Sequence, residues 1–471
     1  VKTLAAYRRA ASILLAGLLV SGCATTTKPT NQAVDRIDET VGYRAMSEAR
    51  LASVGQNVVV LAFSGGGTRA AALSYGVMQE LRDTSIRVGG NRVRLLDEVD
   101  TISSVSGGSF TAAYYGVFGE KLFETYEDDF LRQSVQSILI NRLLSPAHWM
   151  KATFSGFDRT EIAVDVYDRL VFKGATFADI PQGERPFIEI NATDLGAGLR
   201  FSFTQERFDL MCSNLSDFSI ARAVTASSAV PIAFSTVVLE NHANRCDITQ
   251  TDEWRLLNSI STEDPAALER VDGLKSYRDA EGRPYIHLVD GGISDNLGLR
   301  ASIERIDSIG DRVVEPGNQD PPLNILVILV NAETKPIRMI EGAAKKPSLS
   351  ATVSAVTSAQ ISRYALSTRM ELREKLTELQ ARADQYGWPT RVFYSEVSFD
   401  DVPDQQASRF LNNLPTTLEL DGEQIDALTA AGRLLLRQEP EFIKFLERSQ
   451  GELAEDAISE EELCKYFSRD C

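Results

Sequence analysis

The feature that most constrains this chain is the run from Asn57 to Phe63. It is a continuous stretch of Val, Leu, Ala and Phe that stops at Ser64, Gly65, Gly66 and Gly67 and resumes at Thr68 in a helical pattern to Leu81. A strand with one face in water alternates apolar and polar residues. A strand without alternation is buried on both faces, as in a parallel sheet covered by helices. Strand, glycine turn and helix in that order open an α/β layer architecture. Similar strand candidates follow at about 99–104, 186–192, 235–240, 285–290, 324–331 and 391–398. Apolar helical stretches such as Phe110–Phe118 and Ala301–Ile309 lie between them. The expected fold is therefore α/β in three layers, a mostly parallel sheet with helices on both faces. Long helical patterns at about 350–386 and 421–449 add a helical C-terminal extension.

The remaining segments set the domain plan. Residues 57–335 hold the core of strands and helices, and residues 336–471 form a mostly helical part packed on it or completing it. Residues 243–283 are polar and poorly periodic, long for a simple connection, and read as a covering loop or an insertion. Residues 23–56 read as a tether. At the start, Lys2, Arg8 and Arg9 precede a short apolar run from Ala10 to Val20, then Ser21, Gly22 and Cys23. That run is shorter than the roughly 20 residues a spanning helix needs, and it fits a signal peptide over residues 1–22. Val20 to Cys23 resembles a bacterial lipobox, which implies lipidation of Cys23 and a lipid-anchored protein of the cell envelope. Ala24 in place of Asp resembles the pattern of outer-membrane sorting.

Charge narrows the partners. The chain carries a formal net charge of −17, and removal of residues 1–22, with Lys2, Arg8 and Arg9, leaves −20. Phosphate backbones are bound by clustered Lys and Arg, so nucleic acid is excluded as a partner. Attraction to anionic lipid is weak for the same reason, which leaves a tether as the membrane contact. Cys212, Cys246, Cys464 and Cys471 would remain after processing. The expected disulfides are Cys212–Cys246 and Cys464–Cys471, with four free thiols as the alternative. No spacing suggests a metal site, and no cofactor motif is present.

Two glycine-bearing turns carry the chemistry. Ser103 to Ser109 lies between a strand and a helix and contains Ser104-x-Ser106-x-Gly108, close to the G-x-S-x-G elbow. Small flanking residues, Gly107 and Gly108 here, allow a sharp turn that lifts the central hydroxyl onto a helix N-terminus. Upstream, Gly65, Gly66 and Gly67 let backbone N–H groups converge on one oxyanion. With no Gly-Lys-Ser/Thr following, a Walker loop is excluded and an oxyanion hole for acyl transfer fits. The base must then be found. Only His148, His242 and His287 exist, and none follows Asp290, so the order Ser, acid, His of an α/β-hydrolase is not available there. Asp290 ends an apolar strand before Gly291 and Gly292, and a carboxylate touching Ser106 serves as base without histidine. His287 points to the opposite face of that strand. A triad through His242 or His287 is the least favoured alternative.

Gly65–Arg69, Ser106 in its elbow, and Asp290-Gly291-Gly292 with Asp295 and Asn296 behind it resemble, in this order, the patatin-like phospholipases. Ala226–Pro231 and Asn191–Asp194 resemble two further blocks of the family, and the similarity covers roughly residues 57–335. The resemblance implies a Ser106–Asp290 dyad, an oxyanion hole at Gly65, Gly66 and Gly67, and metal-free hydrolysis of acyl esters in phospholipid or other lipids. Arg69 would support the glycine loop, face a lipid phosphate, or be an exposed helix-start residue. Asp194 and Asn296 read as turn or cap residues. An acyltransferase or thioesterase with the same dyad, or a catalytically silent lipoprotein scaffold, are the alternatives. The apolar stretch Ile138–Trp149, with Met150 and Phe154, reads as core in preference to a lipid-dipping lid.

Overall fold

A computed structural model of the chain describes residues 29–45, 47, 55–145, 158–231, 233–259, 265–304, 323–334 and 346–454. Eight strands form the central sheet: β1 Asn57–Phe63, β2 Val99–Val105, β3 Phe187–Asp194, β4 Leu199–Ser202, β5 Val237–Glu240, β6 Tyr285–Val289, β7 Asn324–Asn331 and β8 Arg391–Ser398. Their spatial order is β8-β7-β1-β2-β3-β6-β5, with β4 paired to β3. Strands β8, β7, β1, β2 and β3 are mutually parallel. β6 runs antiparallel to β3 and to β5, and β4 antiparallel to β3. The sheet is thus a parallel body with an antiparallel flank. Every residue of β1, β2, β3 and β7 is buried, as the unbroken apolar run of Asn57–Phe63 requires.

The two faces are covered differently. On one lie α1 (Thr68–Asp83), α2 (Gly107–Phe118), α3 (Val135–Leu143), α4 (Arg159–Tyr167) and α5 (Ile220–Ser227), in the large apolar cluster. On the other, Ala365, Leu372, Leu376 and Leu379 of α8 (Leu349–Gln385) pack on Val58, Val60, Val327 and Leu329. The last helices, α9 (Gln405–Asn413), α10 (Gly422–Gln438) and α11 (Pro440–Arg448), close the first face again: α10 lies along α1, where a Cβ on Gly76 would meet Thr429 O at 2.1 Å. Pro440 at the first position of α11 divides the 421–449 pattern in two. β8 and α10 therefore belong to the same sheet and layers as residues 57–304.

Several expectations need correction. The segment 29–45, read as tether, is docked: Gln32–Ala33 pairs with Ser213–Asn214, Tyr43 is fully buried and stacked on Phe187, and Arg44 bridges Asp209 at 2.8 Å. A two-residue strand, a buried Tyr and scattered ion pairs and hydrogen bonds fix it, and none leaves a periodic trace. The polar stretch 243–283 holds two helices, α6 (Asp252–Ser259) and α7 (Pro265–Lys275), seated through Leu257, Val271, Leu274 and Tyr277. Cys212 and Cys246 are disulfide-bonded, which fastens this insertion to the body. Cys464–Cys471 and Cys23 lie outside the described residues. On α3, which begins just before the 138–149 stretch, Val135 and Leu139 enter the core, but Ile140 and Leu144 are exposed, so the helix is core on one side only. Trp149, Met150, Phe154 and His148 lie outside the described residues, as does 305–309 of the expected helix at 301–309.

Candidate active site

The elbow forms where β2 gives way to α2. Ser106 takes φ 51° and ψ −118°, a left-handed conformation that costs an L-residue ~1–3 kcal/mol and persists only where its surroundings over-determine it. Those surroundings can be named. The Ser106 N–H donates to Ser227 Oγ at 2.8 Å, and Ser227 in turn donates to Asn191 O at 2.6 Å. Ser109 Oγ lies 3.0 Å from the same hydroxyl. Ser227 O and Ala229 O also accept the N–H groups of Gly291 and Asp290, each at 3.0 Å. The end of α5 thus clamps the serine turn on one side and the aspartate turn on the other.

The two catalytic candidates meet through this clamp. Ser106 Oγ donates to Asp290 Oδ2 at 3.2 Å, and Asp290 Oδ1 accepts the Gly292 N–H at 2.8 Å. Both residues are buried. Burial lifts the Asp290 carboxyl to about 6, against the opposing pull of the hydrogen bonds from Gly292 and Ser106. A carboxylate in this state is a stronger base than an ordinary one and is still mostly ionised at neutral pH. His287 is exposed on β6, with Nδ1 3.1 Å from Thr236 Oγ1, and His242 lies 3.8 Å from Glu240 beyond β5. Neither approaches the serine.

The glycine loop lies against the elbow. A Cβ on Gly107 would fall 2.0 Å from Gly67 O, and one on Gly65 would fall 3.4 Å from Ser106 Cβ. Of the three N–H groups expected to line an oxyanion hole, that of Gly65 is taken by Asn296 O at 2.9 Å. Gly65 is therefore a strut, because the chain after Asp290 turns back and uses its donor. Among the described residues, the N–H groups of Gly66 and Gly67 have no acceptor. Gly66 and Gly67 have φ of 145° and 61°, which turns their amides away from strand geometry. Gly108 packs on Phe63, and Gly291 fits against Asn191 O.

Arg69 resolves to one of its three expected roles. It is buried, and it donates to Ala332 O at 2.9 Å, Leu414 O at 2.6 Å and Thr416 Oγ1 at 3.1 Å. The exposed and phosphate-facing readings are set aside, since no face of the guanidinium is offered to solvent. Burial lowers it to about 10, still charged at neutral pH. Beside it Thr68 N–H donates to Thr417 O, and a Cβ on Gly67 would sit 2.3 Å from that oxygen. Residues 414–417 thus back the glycine loop, a contact that no local motif announces.

Asp194 closes a turn by accepting from Gly196 and Ala197, and also accepts from Tyr277 and Arg283 of the insertion. Asp295 caps the turn that follows, accepting from Leu299 and Arg300. Ser227, within Ala226–Pro231, is the contributor that no spacing rule singles out. Among the described residues no group of His, Cys, Asp and Glu is arranged to hold a metal ion.

The chain belongs to the patatin-like phospholipase family, whose profile matches residues 61–303. Among solved structures it is similar to human GIVD cytosolic phospholipase A2, at 12% identity over 58% of this chain and 45% of that one, with a TM-score of 0.32. It is also similar to VipD from Legionella pneumophila, at 12% identity over 92% of this chain and 73% of that one, TM-score 0.32. The chain spans less than half the length of the human structure it matches. No curated protein matches it.

Proposed function

We propose that this protein is a serine lipid acyl hydrolase of the phospholipase A or lysophospholipase type, working through an acyl-enzyme. The observation that carries the reading is the 3.2 Å hydrogen bond from Ser106 Oγ, on its strained turn, to Asp290 Oδ2. Ser106 Oγ attacks the ester carbonyl while Asp290 takes its proton. The negative charge that develops on the carbonyl oxygen is received by the N–H groups of Gly66 and Gly67. Such donors are worth ~10²–10³ in rate each. As the tetrahedral adduct collapses, Asp290 returns the proton to the departing lysolipid oxygen, leaving the acyl group on Ser106. Asp290 then takes a proton from water, which attacks the acyl-enzyme, and returns it to Ser106 Oγ as the fatty acid leaves. Gly292 N–H holds the carboxylate in one orientation throughout. No step calls for a metal or an organic cofactor.

The proposal extends to location. Residues 1–22 would be a signal peptide and Cys23 a lipid-bearing first residue, holding the enzyme at a bacterial cell envelope, on the outer membrane by the Ala24 pattern. Cys23→Ala should leave hydrolysis intact and release the protein from membranes, and unchanged retention would sink this part. The test of the chemistry is fatty-acid release from mixed phospholipid vesicles by wild type, Ser106→Ala and Asp290→Asn. Release lost in both variants is expected. Release surviving both overturns the site assignment, and release of acyl groups onto an alcohol in preference to water would favour an acyltransferase.

A further inference from the structure

The sheet strands β7 and β8 are joined by α8, which runs back along the sheet from the edge that carries Ser106 and Asp290. Its 37 residues make it about 55 Å long at 1.5 Å per residue. The eight residues of β7 span only about 26 Å at 3.3 Å each. The excess lies at its N-terminal end. Ser362 Oγ is bonded to Glu333, just past the end of β7, and the Arg300 guanidinium stacks 4.5 Å from the Tyr364 ring. These contacts set residues 362–364 level with the catalytic edge. The helix packs into the sheet only from Ala365 onward, through Thr368, Leu372, Leu376 and Leu379. From Ala351 to Tyr364 no described side chain is buried. About 20 Å of helix, residues 349–361, therefore extends past the edge where the dyad opens.

That arm is uncharged although it is not buried. Charged residues make up 24% of the sequence, so fourteen residues should hold about three. Leu349 to Ser362 hold none, only Ser, Thr, Ala, Val, Leu, Ile and Gln. Val353 and Val356 are 41% and 53% exposed and share one face, which Gln360 continues at helical spacing. Val230, adjoining the Ala229 carbonyl that holds Asp290, is also exposed. A stable protein dimer buries roughly 1,200–2,000 Å² and centres on large apolar or aromatic anchors. Two valines among Ser, Thr and Ala supply neither. An uncharged helix with a narrow apolar stripe does suit shallow insertion into a lipid surface, where binding follows buried apolar area and lipid packing.

We propose that residues 349–361 are a docking arm that seats the catalytic edge on an uncharged phospholipid surface. The proposal rests on the lipid-hydrolase reading for its purpose, though its test does not. The arm carries no cation, so its binding is insensitive to salt, and the body's net charge of −17 keeps it from anionic surfaces. The chain is prepared with Cys23→Ala, so that no acyl anchor contributes, and with Ser106→Ala, so that the lipid stays intact. Partition onto small phosphatidylcholine vesicles is measured by co-sedimentation at low and high salt.

Val353→Asp with Val356→Asp should weaken partition by ~10-fold or more, and Gln360→Leu should strengthen it several-fold, both independently of salt. With Ser106 restored, the aspartate pair should lose hydrolysis of vesicle lipid while keeping that of a monomeric short-chain ester. Unchanged partition in the aspartate pair and in Gln360→Leu overturns the arm. So does a dimer, seen by light scattering, that the aspartate pair dissolves. If the wild-type site hydrolyses no ester while partition still follows the arm residues, the hydrolase reading fails and the docking surface stands.

Discussion

Asp290→Asn should abolish activity and at the same time make the protein more stable at neutral pH. The side chain is nearly isosteric. Its oxygen can still accept the Gly292 N–H, which lies 2.8 Å from Asp290 Oδ1, and its amide can face Ser106 Oγ at the 3.2 Å now spanned by the carboxylate. Only the charge is lost. That charge is costly in the folded state: burial raises the carboxyl from 3.8 to about 6. At 1.36 kcal/mol per unit, this corresponds to roughly 3 kcal/mol. The sign follows from proton counting. Between about pH 4 and 6 the folded protein binds this proton and the unfolded chain does not, so wild-type stability falls as pH rises through that window. Below pH 4 both states are protonated and the cost is absent. Urea unfolding of wild type and Asp290→Asn at pH 4 and pH 7, taken as a difference, cancels every other titrating group. The variant's relative stability should grow by about 2 kcal/mol between the two pH values, the unfolded carboxyl being already partly ionised at pH 4, while ester hydrolysis falls at least ~10³-fold. A variant less stable than wild type at pH 7, or a difference that does not move with pH, would refute the account of Asp290 as a buried, destabilised base.

Other outcomes follow from the same geometry. The acid limb of kcat/KM should have an apparent pKa near 6, activity being lost as Asp290 is protonated; a limb near 4 would mean an ordinary exposed carboxylate. Ser227→Ala leaves the Ser106 N–H and Asn191 O unpaired, and should cost about 2 kcal/mol in unfolding together with a ~10–100-fold fall in kcat/KM. Fluorophosphonate labelling of Ser106 should slow in step. Arg69→Ala strands two buried carbonyls, Ala332 O and Leu414 O, and should destabilise by about 3 kcal/mol, read as a lowered urea midpoint. Reduction of Cys212–Cys246, 34 residues apart, should cost about 3–4 kcal/mol by loop entropy, with the thiols titrating after, not before, exposure to reductant.

Legibility in the sequence tracked how local the cause was. β1 and β7 begin and end where their apolar runs do, because burial on both faces leaves an unbroken signal. Ser106 and Asp290 were legible since each stands at a strand end before glycines, a demand of the turn itself. β4 was not, because Leu199–Ser202 is four residues long and is held by pairing with β3 alone. The Ser85–Val88 and Asn91–Arg94 hairpin was missed for the same reason, although Gly89 and Gly90 mark its turn. Nothing near Gly65 says that its N–H is occupied, since the acceptor is 231 positions away at Asn296. The same holds for Ser227, whose hydroxyl acts on a serine 121 positions earlier.

The contact between the glycine loop and residues 414–417 has a bearing on how the protein comes into being. A ribosome delivers Ser106 and Asp290 well before Thr417, and until residues 414–417 arrive Arg69 lacks the Leu414 carbonyl and Thr68 the Thr417 carbonyl that back the glycine loop. A chain cut short before residue 414 would therefore hold Ser106 and Asp290 beside a glycine loop that lacks part of its backing. Residues 414–417 thus tie the setting of the glycine loop to a part of the chain made well after Asp290.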